Sequence, residues 1–172
     1  WPRLQIQDGM GARALELCIL TATRTGELLG ARWPEIDLEA RIWIIPAERM
    51  KAGAEHRIPL TDPAIALLRK IAAIRRSDLV FEGQKEKRPL SNMAMAMVLR
   101  RMNLDVTPHG FRSTFRTWAA ECTATPHEVA EASLAHIQGD RVVAAYQRGD
   151  FFSKRRDLIE AWATYVTSGK SP

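Results

Sequence analysis

Apolar residues crowd residues 9–22 (GMGARALELCILTA) nearly all round the helical period, the pattern of a helix surrounded by other elements. Residues 23–25 read as a short break, after which residues 26–32 resume as helix until Trp33-Pro34, because proline disfavours helix in the residue before it. Residues 41–46 (RIWIIP) are β-branched and aromatic and read as a strand, with residues 57–60 as its partner. The connection between them (AERMKAGAEH) carries Gly53 and polar residues and reads as a hairpin turn holding Lys51. Residues 79–81 are a candidate third strand.

The rest of the pattern is helical. Thr61-Asp62-Pro63 opens a helix to about residue 76, and Ser91 opens another to about residue 102. Thr107-Pro108 offers a hydroxyl at the N-cap and proline at the first helical position. Thr125-Pro126 repeats the device, with Glu128 completing a Thr-x-x-Glu capping box. A helix near residues 140–147 and an amphipathic one over residues 153–166 finish the chain. The expected fold is α+β, mainly α-helical, with a small antiparallel three-stranded sheet, in one domain spanning residues 1–172.

Composition narrows the setting. The chain has 172 residues, of which 46% are hydrophobic, so it has the means to bury a core rather than remain disordered. No apolar run approaches the roughly 20 residues of a membrane helix, and no signal peptide opens the chain, so no membrane association is expected. The first residue is Trp1 rather than methionine, which suggests a piece of a longer protein. Two cysteines, Cys18 and Cys122, sit in apolar or helical patterns and read as buried reduced thiols, consistent with a cytoplasmic setting.

The net charge of +5 and pI of about 9.6 suit a polyanionic partner. Residues 69–101 alone hold nine basic residues against three acidic ones. That stretch reads equally as a solvated helical face or as a phosphate-binding surface.

Six positions carry the candidate chemistry: Arg24, Lys51, His109, Arg112, His136 and Tyr146. His109 and Arg112 stand three apart at the start of a helix, on one face near the positive end of its dipole, where an anion is favoured. Gly110 between them is a poor helix former and suggests a close approach to the backbone. Arg24 lies in an apolar context and needs an anion or a carboxylate; Glu27 is the obvious partner. His136 precedes the turn signal Gln138-Gly139-Asp140, and Tyr146 follows ten positions later. Of the two tyrosines, Tyr165 reads as a core residue.

TATRTGELLGARWPEIDL, HGFRSTFRTW and LAHIQGDRVVAAYQR resemble the successive motif boxes of the tyrosine recombinases, in particular the prophage and genomic-island integrase branch. The resemblance covers nearly the whole chain as the catalytic domain and implies upstream core-binding and arm-binding domains outside it. By that resemblance Arg24 and Arg112 clamp a phosphate and Lys51 is the lysine of the β-hairpin. His109 and His136 are the two site histidines, Tyr146 is the nucleophile and Glu27 holds a supporting acidic position. One departure is Leu134-Ala135-His136, where many members have Leu-Gly-His; the small change is expected to be harmless. The resemblance further implies double-stranded DNA attachment sites as substrate, a homotetramer on DNA and accessory DNA-bending or directionality proteins, with no cofactor or metal. The segment at residues 151–166 is suited either to dock on a neighbouring subunit or to close its own core. Two other readings use the same residues: strand relaxation of the type IB topoisomerase kind, and DNA binding without catalysis.

Overall fold

The central helix α2 (Met10–Thr21) forms because its alanines, leucines and Ile19 leave scarcely a polar face, and its side chains from Ala14 to Thr21 are buried. The computed structural model describes residues 1–136 and 150–169. A short helix α1 (Pro2–Gln5), which the sequence pattern did not mark, precedes α2; Leu4 is its buried residue, and Arg3 Nη2 donates to Met102 O at 2.6 Å. After a break at Ala22, whose φ is +51°, α3 (Thr25–Leu29) follows, and Trp33–Glu35 forms a single 3-10 turn at the proline.

The sheet is antiparallel in the order β1 (Ile36–Asp37), β2 (Ile42–Ile45), β3 (His56–Pro59). Trp43 and Ile45 alternate inward along β2, and Trp43 pairs with Ile36 on one side and Ile58 on the other. The third strand is therefore β1, not residues 79–81. Those residues instead pair with the chain after α3, through Val80 N to Ala31 O at 2.9 Å and an isolated bridge between Arg32 and Leu79. On β3, Arg57 O accepts from Arg155 of the last helix rather than from another strand.

Helices α4 (Asp62–Ala72), α5 (Ala94–Arg101), α6 (Gly110–Cys122), α7 (His127–Ser133) and α8 (Phe152–Ser168) complete the described chain. The Thr125 capping box does not form: no side chain caps α7, and Thr125 N donates to Thr123 Oγ1 instead. Helix α8 packs in its own domain. Leu158, Ile159, Trp162 and Ala163 are buried, and Trp162 Nε1 donates to Ile19 O of α2 at 2.7 Å. Phe115, Trp118, Trp162 and Tyr165 form one aromatic cluster, which places Tyr165 in the packing as the sequence suggested. The expected helix at residues 140–147 lies outside the described residues. Cys18 is buried, but Cys122, at the last position of α6, is exposed, contrary to the expectation that both thiols are covered. No described helix is long and apolar enough to cross a membrane.

The basic stretch at residues 69–101 is partly neutralised within the fold: Arg75 pairs with Asp78, and Arg76 with Glu82. Lys70, Lys85, Lys87, Arg88, Arg100 and Arg101 remain exposed.

Candidate active site

Arg24 is the extended residue at the N-terminus of α3, and Glu27 stands three positions on in the first turn. Glu27 Oε2 accepts from Arg24 N at 3.1 Å while Oε1 accepts from Arg24 Nη1 at 2.8 Å. One buried carboxylate thus satisfies an orphan backbone donor and fixes the guanidinium. Glu27 is the partner expected from the sequence. The other arm, Arg24 Nη2, donates to Ala135 O at 3.2 Å, 111 residues further along the chain.

Arg112 sits in the first turn of α6 and is only 5% exposed. Its Nη1 donates to Ala22 O and its Nη2 to Leu134 O at 2.7 Å. Both acceptors lie at helix C-termini, where unpaired carbonyls and the helix dipole favour a cation. Burial, and then the neighbouring Arg24, push this guanidinium down to about 10, so it stays charged at neutral pH.

The end of α7 brings His136 to the two arginines. Ala135 adopts the left-handed conformation at φ +50°, Ala135 N donates to Ala132 O at 3.1 Å, and His136 N donates to Glu131 O at 3.0 Å. These two bonds make a Schellman closure, the common use of a glycine after a helix. It turns the chain back so that the His136 ring lies against Glu131, with Nδ1 at 2.8 Å from Glu131 Oε2. Nε2 lies 3.4 Å from Arg112 Nη2. Glu131 is one residue that sequence reasoning missed; its signal was a carboxylate five positions before the histidine, spanning a helix stop.

The remaining candidates are placed less tightly. His109 is the exposed N-cap of α6, one turn before Arg112, and makes no side-chain hydrogen bond to the described residues. Thr107 Oγ1 accepts from Gly110 N at 3.1 Å, but the helix begins two residues later than the sequence suggested, with His109 rather than Thr107 at the N-cap. A Cβ added at Gly110 would meet only Thr107 Oγ1, at an ordinary 3.5 Å. Nothing within the described protein requires the glycine. Lys51 is exposed in the hairpin between β2 and β3, as expected. Two residues earlier, Arg49 pairs with Glu35 and donates to Glu27 O, which ties the root of that hairpin to the Arg24 site. Tyr146 lies outside the described residues.

The far side of the site is held by His56 and Arg155. His56 on β3 is buried, hydrogen-bonds the Ser133 main chain and lies 3.4 Å from Arg155 Nη2. Burial and the nearby cations Arg155, Arg24 and Arg112 drive its pKa down to about 3, so the ring is neutral. Asp150, where the described chain resumes, takes both Nε and Nη2 of Arg57 at 2.9 and 2.7 Å and lies 3.4 Å from Arg155 Nη1.

The structure therefore joins Arg24 to Glu27 and Arg112 to His136 by direct contacts, and ties both arginines to consecutive carbonyls at the end of α7. Two fixed guanidinium groups and an imidazole at one spot suit a tetrahedral oxyanion such as a phosphodiester. Among the described residues no cluster of three or more His, Cys, Asp or Glu is arranged to hold a metal ion.

Comparison with known proteins places the chain in a family. Residues 6–151 match the family model described as "Phage integrase family". The chain is 36% identical over 157 residues to prophage integrase IntA of Escherichia coli (strain K12), covering 89% of this chain and 38% of IntA. It spans about four-tenths of the length of the curated relatives it matches. Among solved structures, an integrase from mycobacterium phage Brujita superposes with a TM-score of 0.72 at 16% identity, over 92% of this chain and 54% of that one. A lambda integrase (75-356) dimer bound to a COC′ core site gives a TM-score of 0.60 at 20% identity, over 80% and 54%. The structures share the fold, the family model covers most of the sequence, and the chain belongs to the phage integrase family of tyrosine recombinases.

Proposed function

We propose that this chain is the catalytic domain of a site-specific DNA recombinase. It cleaves and rejoins DNA through a 3′-phosphotyrosine intermediate, and so integrates or excises a prophage or genomic island. The observation that carries the reading is the meeting of Arg24, Arg112 and His136 at the end of α7, in a chain of this family. Further domains, in the length that the relatives have beyond this chain, grip the core and arm sites.

In this reading the scissile phosphate sits between Arg24 and Arg112, which offer paired donors to its non-bridging oxygens. Such preorganised donors are typically worth about 3 kcal/mol each in the transition state. Tyr146 attacks phosphorus and gives up its proton to His109, while His136 holds the phosphate. Lys51 delivers a proton to the departing 5′ oxygen, and the phosphotyrosine conserves the bond for resealing by another 5′ hydroxyl. Tyr146 follows His136 by ten residues and precedes Asp150 by four, and both flanking residues are tied to the site's framework. Exposed Lys70, Lys85, Lys87, Arg88, Arg100 and Arg101 supply phosphate contacts along double-stranded DNA. The working assembly is a homotetramer on two duplexes, directed by accessory DNA-bending proteins.

The test is exchange of flanking sequence between two duplexes drawn from a library of candidate attachment sites, using the full-length protein. Exchange that is lost in Tyr146→Phe supports the reading. Relaxation of supercoiled plasmid without exchange would favour a type IB activity. Binding without either reaction, unaltered in Tyr146→Phe, would reduce the protein to a DNA-binding module.

A further inference from the structure

The Glu131 carboxylate is hydrogen-bonded by His136 and Arg116, with His127 close by. His136 Nδ1 lies 2.8 Å from Oε2, Arg116 Nε donates to Oε1, and His127 Nε2 lies 3.5 Å from that same oxygen. Glu131 itself is only 8% exposed. Burial by itself would raise this carboxyl; the hydrogen bonds from His136 and Arg116 outweigh it and hold the group below the ordinary carboxylate range. An ionised carboxylate only accepts, so the ring nitrogen facing it must carry a proton. That leaves Nε2 as the nitrogen turned toward Arg112, at 3.4 Å.

We infer that Glu131 is a positioning residue: it fixes His136 as the Nδ1–H tautomer and aims Nε2 at the anion held by Arg24 and Arg112. The inference deepens the recombinase reading and rests on it. The geometry is doubly determined, because Glu131 O also accepts from His136 N in the helix-closing turn. One residue thus sets both where the histidine backbone stands and which way its ring faces. Arg116 occupies the other carboxylate oxygen and prevents the carboxylate from turning away. Carboxylates that orient a functional imidazole in this way set its tautomer, and their removal typically costs about 10–100-fold in function.

The experiment is 15N NMR of the ring nitrogens in this chain without DNA, with the His136 signals identified by their loss in His136→Gln. Expected is a protonated Nδ1 and an unprotonated Nε2 in the neutral ring. The wild-type spectrum decides the point without any variant, and a protonated Nε2 with a bare Nδ1 would overturn the inference. Glu131→Gln, which keeps an acceptor oxygen, should preserve the tautomer. Glu131→Leu should release it, with the His56 ring signals unchanged as a check on the fold. Covalent attachment to nicked DNA by the full-length protein should fall at least about tenfold in Glu131→Leu at unchanged DNA affinity, and by much less in Glu131→Gln. A tautomer unmoved in folded Glu131→Leu contradicts the positioning role. The expected tautomer in a protein that never attaches to DNA would instead defeat the recombinase reading.

Discussion

Arg112 and Arg24 take consecutive carbonyls at the end of α7, Arg112 donating to Leu134 O at 2.7 Å and Arg24 to Ala135 O at 3.2 Å. The two guanidinium groups are thereby fixed side by side before any phosphate arrives, and their mutual repulsion is offset by Glu27 and by helix C-termini. Arg112 does more structural duty than its motif position suggests. Arg112→Ala leaves Leu134 O and Ala22 O without their buried donor, so it should lower stability by about 2–4 kcal/mol as well as slow covalent attachment at least about 100-fold. Arg24→Lys, at a partly exposed position, should cost less than about 1 kcal/mol yet still slow attachment more than about tenfold, because an ammonium cannot reproduce the fork. Thermal melts beside a single-turnover attachment assay separate the two effects; equal stability losses would contradict this division.

Ala135 holds a left-handed backbone that costs a residue with a Cβ roughly 1–2 kcal/mol. The exchange of glycine for alanine at this place is therefore not neutral. Ala135→Gly should stabilise the domain by about 0.5–1 kcal/mol, after allowing for the greater freedom of glycine in the unfolded chain. Chemical denaturation measures it, and a destabilised variant would show that the helix-closing turn is wrongly described.

His56 predicts an acid-sensitive fold. Its folded pKa of about 3 lies below the unfolded value near 6.5, so between those pH values only the unfolded chain takes up the proton. Stability is intact above about pH 6.5 and falls as the pH drops, at about 1.4 kcal/mol per unit from this group. Denaturation of the wild type and of His56→Gln at pH 7.5 and pH 5 should show a shallower pH dependence in the variant. Parallel curves would remove His56 as the cause.

The two thiols should differ sharply. Cys18 is buried beside the site, its Sγ 3.5 Å from Thr23 O, and burial pushes it up to about 12. A thiol reagent at neutral pH should modify Cys122 alone in the native protein and both cysteines after denaturation. Native modification of both would mean that the floor of the site opens readily.

The long apolar helix, the hairpin and the proline-marked helix starts were legible because each rests on local periodicity or on a residue with a fixed backbone preference. Glu27 was legible for the same reason, since its bond to Arg24 spans a single helical turn. The third strand was not. Residues 36–37 are too short to carry a pattern, while residues 79–81 have a strand composition that the fold spends on a bridge to Arg32. Glu131, His56 and Arg155 were missed because their partners lie across a helix stop or about a hundred residues away. Only the folded chain reveals that the acceptors of Arg24 and Arg112 are main-chain carbonyls, which have no sequence signature. Tyr146, the residue on which the chemistry turns, rests on sequence and resemblance.

That residue is also where the account is tested most directly. The full-length protein is incubated at low salt with a pool of nicked duplexes that trap cleaved ends, and the covalent product is mapped by mass spectrometry. The account predicts a 3′-phosphodeoxynucleotide on Tyr146, absent in Tyr146→Phe while DNA binding is retained. An adduct on Tyr165, or attachment that survives Tyr146→Phe, would contradict it.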